Sequence, residues 1–152
     1  MLLTVAETCF REPRGEDSPV FPFAITVRVR FAETDAMGVV HHAAYLPYLE
    51  AARVEYLRHL DHPYAALREL DGVDFIVVGV RIDYDRPAHF DEELVVHVGL
   101  ASLTKARFTM RYRIERADEP IARGETRHAV IDRESGRPTR VPAWMHDVPL
   151  VG

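Results

Sequence analysis

The sequence predicts an α+β domain, on three observations. Several stretches alternate apolar and polar residues with the period of a half-buried strand, one stretch repeats apolar residues at helical spacing, and the two patterns do not alternate along the chain. With 152 residues, 47% of them hydrophobic and 28% charged, the chain is the size of one domain and can bury a core.

The elements follow in order. Residues 1 to 22 read as an extension: "REPRGEDSPVFP" carries charges, a glycine and three prolines, which suits an extended arm. Regular patterning starts at residue 23. "ITVRVRF" places Ile25, Val27, Val29 and Phe31 on one face of a strand and Thr26, Arg28 and Arg30 on the other. The period changes at Tyr45, where Tyr45, Leu49, Ala52, Tyr56 and Leu60 recur at helical spacing and Leu46 and Leu57 widen the stripe. Pro47 is tolerated only near a helix start, so the helix begins close to residues 42 to 44. "HPYAALREL" adds a short helical turn. After Gly72 the chain is strand-like. "VDFIVVGVRIDYDRP" puts Ile76, Val78, Val80, Ile82 and Tyr84 on one face, and "EELVVHVGLASL" follows. "ARFTMRYRIER" sets Phe108, Met110, Tyr112 and Ile114 against Arg107, Thr109, Arg111 and Arg113. "ADEP" is a hairpin turn, and "IARGETRHAVID" is a last strand ended by "RESGRP". Short links favour antiparallel pairing, and one long helix against five strands makes that helix the core of the sheet. The domain spans 23 to 146, with a C-terminal tail over 147 to 152.

Composition excludes several functions. A formal net charge of −5 opposes nucleic-acid and membrane-surface binding. Cys9 is the only cysteine, so no intrachain disulfide and no thiolate metal cage can form. No signal-like start and no run of roughly 20 apolar residues is present, which makes the cytoplasm the expected location.

Chemistry concentrates in "ETDAMGVVHHAAYLPYLEAAR", residues 33 to 53: two carboxylates, a glycine and two adjacent imidazoles directly before a helix. Gly38 lets the chain turn tightly. A helix start offers unpaired N–H groups and the positive end of the dipole, and the loop offers an acid. From spacing alone Asp35 can equally cap the turn.

"VRVRFAETDAMGVVHHAAYLPYLEAARVEYL" resembles the opening of the 4-hydroxybenzoyl-CoA thioesterase family of the hotdog fold, and is most similar to its branch of small acyl-CoA thioesterases associated with the Tol-Pal system. The matching residues are Asp35, Gly38, Val40, His41, His42, Tyr45, Glu50 and Arg53. "VRIDYDRPAHFDEEL", turning at Asp91, resembles a second family block, and the likeness extends to "VPAWM" near the end. The extension before residue 23 departs from the shorter members. The resemblance implies a five-stranded antiparallel sheet wrapped around one long central helix. It also implies dimers or tetramers with sites between subunits, no metal and no cofactor. The implied activity is hydrolysis of an acyl-CoA thioester, with Asp35 as general base or nucleophile.

Thioester hydrolysis needs a carboxylate and donors aimed at the developing oxyanion. The resemblance gives His42 the oxyanion role, through its backbone N–H or also its side chain, with Gly38 shaping the turn. Val40, His41 and Tyr45 line the substrate, although Tyr45 reads equally well as core. Glu33 is a rival acid with a solvated or structural role. Glu50 is the alternative base and is spaced for an ion pair with Arg53. In an acidic protein the phosphates of coenzyme A require a local basic patch, for which Lys105, Arg107 and Arg86 are candidates; solvated strand cations are the plainer reading of each. His59 and His62 have metal-compatible spacing without further ligands and read as surface residues. An acyl-carrier-protein substrate shares the pantetheine arm and stays open, as does a non-catalytic acyl-binding hotdog protein.

Overall fold

A computed structural model describes residues 19–152. Most of the predicted extension therefore lies outside the described residues; of it, Phe21 packs beside His97 and beneath the Arg113 guanidinium.

Five strands form one antiparallel sheet: β1 (Phe23–Arg28), β2 (Val73–Tyr84), β3 (Glu93–Leu103), β4 (Arg107–Arg116) and β5 (Glu119–Asp132). Their order is β1-β3-β4-β5-β2. A 3-10 turn, His42–Ala44, leads into α1 (Tyr45–His59), where the change of period placed it. The second helical segment is α2 (Tyr64–Ala66), continued by a π turn over Leu67–Asp71. Leu49, Ala52, Tyr56 and Leu57 of α1 are buried in one cluster with Val96, Val98, Met110, Tyr112 and Ile114, so the helix is the core of the sheet, in the hotdog arrangement. The β4–β5 turn is two residues long, with Ala117 at φ 45° and Asp118 at φ 66°, as a tight hairpin turn requires. The C-terminal residues also pack: Val151 is buried, donates its N–H to Leu100 O at 2.7 Å, and occupies the space a side chain at Gly99 would need.

Four expectations are corrected. Phe31 is not on the β1 face. The strand ends at Arg28, and Phe31–Glu33 form a 3-10 turn because the Glu33 carboxylate takes the Arg30 N–H; Phe31 is left 76% exposed. Leu46 is exposed and does not widen the helix stripe. Consecutive strands β2 and β3 do not pair: β2 lies beside β5 at one edge, and residues 85–92 carry the chain across the sheet to β3, between β1 and β4. Finally, β2 does not keep one face. A bulge between Val77 and Gly79 changes its parity, so Val80, Ile82 and Tyr84 sit opposite the inward residues Thr126, Gly124 and Ala122, whereas Ile76 points to the other side. Among the described residues no helix is long and apolar enough to cross a membrane.

Candidate active site

After β1 the chain doubles back on itself. Thr34 bridges Val40, the Asp35 N–H donates to Val39 O at 2.9 Å, and the Gly38 N–H donates to Asp35 O at 2.9 Å. The turn is possible because Gly38 takes φ 76°. Asp35 Oδ1 accepts the Met37 N–H at 2.8 Å and, more weakly, the Val39 N–H at 3.4 Å. The capping role therefore exists. It uses one oxygen: among the described residues nothing donates to Oδ2, and Asp35 is half-buried at a loop tip.

The corner before α1 is built from the two histidines. The His41 N–H donates to Glu33 O at 2.8 Å; His41 Nδ1 accepts the Ala43 N–H at 3.1 Å; the Ala44 N–H donates to His41 O at 2.8 Å. His41 is thus the cap of the turn, with its ring Nδ1 as the accepting atom. Of these four successive N–H groups, that of His42 alone has no acceptor among the described residues. It stands ahead of a 15-residue helix, where the dipole favours negative charge. The His42 ring is exposed and lies 4.1 Å from the His41 ring.

The second sequence block holds this corner in place. The Val40 N–H donates to Ala88 O at 2.8 Å, Val39 bridges His89, and the Tyr84 hydroxyl donates to His42 O at 2.8 Å. Val40 and Tyr45 are buried. The Tyr45 and Tyr84 rings meet edge to face with centroids 5.2 Å apart; burial, with Tyr84 beside it, pushes the Tyr45 phenol up to about 12. Arg116 braces the same end by donating to Pro87 O and Glu92, and Arg86 pairs with Glu119.

Other predicted residues are elsewhere. Glu50 is exposed on α1, about 12 Å along the helix axis from His42. It does not pair with Arg53. Arg53 is buried and donates Nε to the Tyr64 hydroxyl at 2.9 Å, so a tyrosine takes the place expected for the carboxylate. Lys105 and Arg107 flank the β3–β4 turn. The ten residues of β4 separate them from Arg116, and hence from the Asp35 end of the sheet, by about 30 Å. His59 stacks on Phe23 and His62 on Trp144, and among the described residues no three potential ligands cluster for a metal.

Two contributors escaped the sequence reading. Tyr48, one turn beyond Tyr45, donates its hydroxyl to the Glu33 carboxylate at 2.5 Å. Tyr84, read only as a strand residue, ties that strand to the helix start. The tyrosines at 45 and 48 were a signal in that phenols buried at a loop–helix corner need partners.

Comparison with known proteins shows the family and the fold. Residues 29–148 match the family model described as the thioesterase-like superfamily. The chain is 33% identical over 120 residues to the acyl-CoA thioesterase YbgC of Haemophilus influenzae, covering 79% of this chain and 88% of that protein. A crystal structure of Thermus thermophilus protein TT1821 superposes with TM-score 0.75 at 41% identity, covering 82% of this chain and 94% of the other. Another Thermus thermophilus structure, of a thioesterase complexed with coenzyme A and Zn, superposes with TM-score 0.71 at 30% identity, covering 84% of this chain and 91% of the other.

Proposed function

The chain belongs to the thioesterase-like superfamily, and we propose that it is an acyl-CoA thioesterase whose working groups are Asp35 and the start of the helix. The observation that carries the assignment is the pairing of a half-buried loop carboxylate, with one oxygen uncommitted, and an unpartnered N–H at the His42 corner.

In this reading Asp35 takes a proton from water as the water oxygen attacks the thioester carbon. The carbonyl electrons move onto oxygen, where the His42 N–H and the helix dipole stabilise them. On collapse the C–S bond breaks, and the proton passes to the departing thiolate. Direct attack by Asp35 gives the same products through an anhydride that water then opens. The imidazole of His42 stands at the same corner, where it can also donate, and Val40, His41 and Tyr45 are the neighbouring acyl contacts. Glu50 is the reserve base, at a distance that would require the acyl group to lie along α1.

Assembly belongs to the proposal. Among the described residues strand β2 is an unpaired sheet edge, with Ile76, Val77, Val78 and Val80 each 43–48% exposed. We assign it to a second copy, making the functional unit a dimer or a pair of dimers. Lys105 and Arg107 can meet the phosphates of a ligand at the Asp35 corner only from such a copy. The nearest alternative substrate is an acyl group on a carrier protein, which has the same pantetheine arm.

The test is thiol release across acetyl, medium-chain, long-chain and aromatic CoA esters and one acyl-carrier-protein ester. Turnover of CoA esters is expected. No turnover of any ester by the folded oligomer would favour a non-catalytic acyl-binding role.

A further inference from the structure

The side chain of Glu33 is only 10% exposed, and its carboxylate accepts three hydrogen bonds from two residues. Its Oε2 accepts the Tyr48 hydroxyl at 2.5 Å and the Arg30 N–H at 2.8 Å, and its Oε1 accepts Arg30 Nε at 2.8 Å. The main-chain oxygen of the same residue accepts the His41 N–H at 2.8 Å. Tyr48 is buried in the first turn of α1. One residue therefore grips the end of β1, the helix, and the residue just ahead of His42, while Asp35 follows it by two positions.

We propose that Glu33 is a positioning residue: a clamp that fixes the Asp35 loop against the first turn of α1 through Tyr48. This rests on the reading of Asp35 as the catalytic carboxylate.

The geometry separates the two acids of the loop. Both oxygens of Glu33 are committed to donors on its own fold, which makes it a poor base, whereas Asp35 keeps one oxygen open. Burial alone would raise the Glu33 carboxyl; the Tyr48 hydroxyl and the Arg30 donors outweigh it and hold the group ionised, below its ordinary range. A short bond between a phenol and a carboxylate is also directional. It sets a distance between loop and helix, and the relative placement of base and oxyanion donor is what a positioned hydrolysis depends on. A displacement of about 1 Å there costs roughly 10²-fold.

The test uses Glu33→Ala, Glu33→Gln, Tyr48→Phe and the Glu33→Ala/Tyr48→Phe double variant, with Asp35→Asn as control. Hydrolysis is followed with the ester that wild type turns over fastest, butyryl-CoA and benzoyl-CoA being tried first. Glu33→Ala is expected to lower kcat by about 10- to 100-fold with KM little changed. Glu33→Gln, which still offers the Tyr48 hydroxyl an acceptor, recovers most of that loss. Tyr48→Phe lowers kcat in the same direction, and the double variant is no slower than Glu33→Ala, because both remove one link. If Glu33→Ala fails to fold, Tyr48→Phe, which deletes a single hydroxyl, carries the test. Wild-type kcat in folded Tyr48→Phe and Glu33→Ala proteins, beside an inactive Asp35→Asn, overturns the clamp alone. Glu33→Gln as slow as Glu33→Ala also overturns it, by making the charge essential. A fully active Asp35→Asn overturns the clamp together with the assignment of Asp35.

Discussion

The hydroxyl of Tyr84 donates to the main-chain oxygen of His42 at 2.8 Å, joining the end of strand β2 to the corner where the helix begins. Tyr84 is 46% exposed, so this bond is partly open to water. Tyr84→Phe keeps the ring against Tyr45 and removes only the link. It should lower stability by about 0.5–1.5 kcal/mol and lower kcat by less than substitution of Asp35 does. Thermal melting and steady-state hydrolysis together check it; no change in either would make the bond incidental.

A second prediction concerns acid stability. His128 is fully buried, its ring parallel to Phe108 at 4.6 Å, with Nε2 2.7 Å from Thr126 Oγ1, which in turn lies 2.9 Å from the Tyr112 hydroxyl. Burial first, and the Arg53 charge second, push this imidazole down to about 3. Unfolded, it titrates near 6.5. Its contribution is therefore fully present above pH 6.5 and is lost as pH falls from there towards 3, because only the unfolded chain takes up the proton. Between pH 6.5 and 4.5, above the carboxylate range, denaturant titrations should show a loss of about 2 kcal/mol that is absent in His128→Phe. An equal loss in both proteins would contradict the assignment.

Much of the fold was legible because packing obeyed the local period. Phe108, Met110, Tyr112 and Ile114 alternate in the sequence and are all buried. The change of period at Tyr45 located the helix, since nothing but the helix could satisfy that spacing. The failures have physical causes that single-strand patterns hide. In "IVVGV" every candidate for either face is apolar or glycine, so the bulge left no mark. Arg53 found its partner in Tyr64, on another element, because a buried guanidinium needs close acceptors wherever the fold supplies them. Lys105 and Arg107 lie far from Asp35 because the end of β1 pairs with the start of β3, Arg28 opposite Glu93, which sends the β3–β4 turn to the other end of the sheet; strand order along the chain does not reveal that pairing. At the site, the residue types and their order were readable; the single oxygen committed by Asp35 and the links from Tyr48 and Tyr84 required coordinates.

Assembly gives a third prediction. A long apolar edge such as β2 invites pairing with another chain, and charges placed on such an edge oppose it. Light scattering of the wild type should give a dimer or a multiple of one. The Ile76→Lys/Val78→Lys variant should shift towards monomer and lose hydrolysis with it. A wild-type monomer that is stable and active would refute both the assignment of the edge and the site shared between subunits.

The fourth prediction separates main chain from side chain at the oxyanion. His42→Ala removes the imidazole and keeps the N–H. Single-turnover rates should fall less than in Asp35→Asn. An equal or larger fall would transfer the role to the imidazole.

The fifth measures the carboxylate itself, as single-turnover release of coenzyme A by Asp35→Asn, with the melting temperature of the same protein. Asparagine keeps the oxygen that accepts from Met37, so the turn should persist and the melting temperature stay close to wild type. It lacks the charge that activates water, so release should slow by about 10² to 10⁴. Asp35→Ala is measured beside it, because deamidation of asparagine would restore the acid. Near-normal release by both folded variants would contradict Asp35 as base or nucleophile and leave it a turn residue.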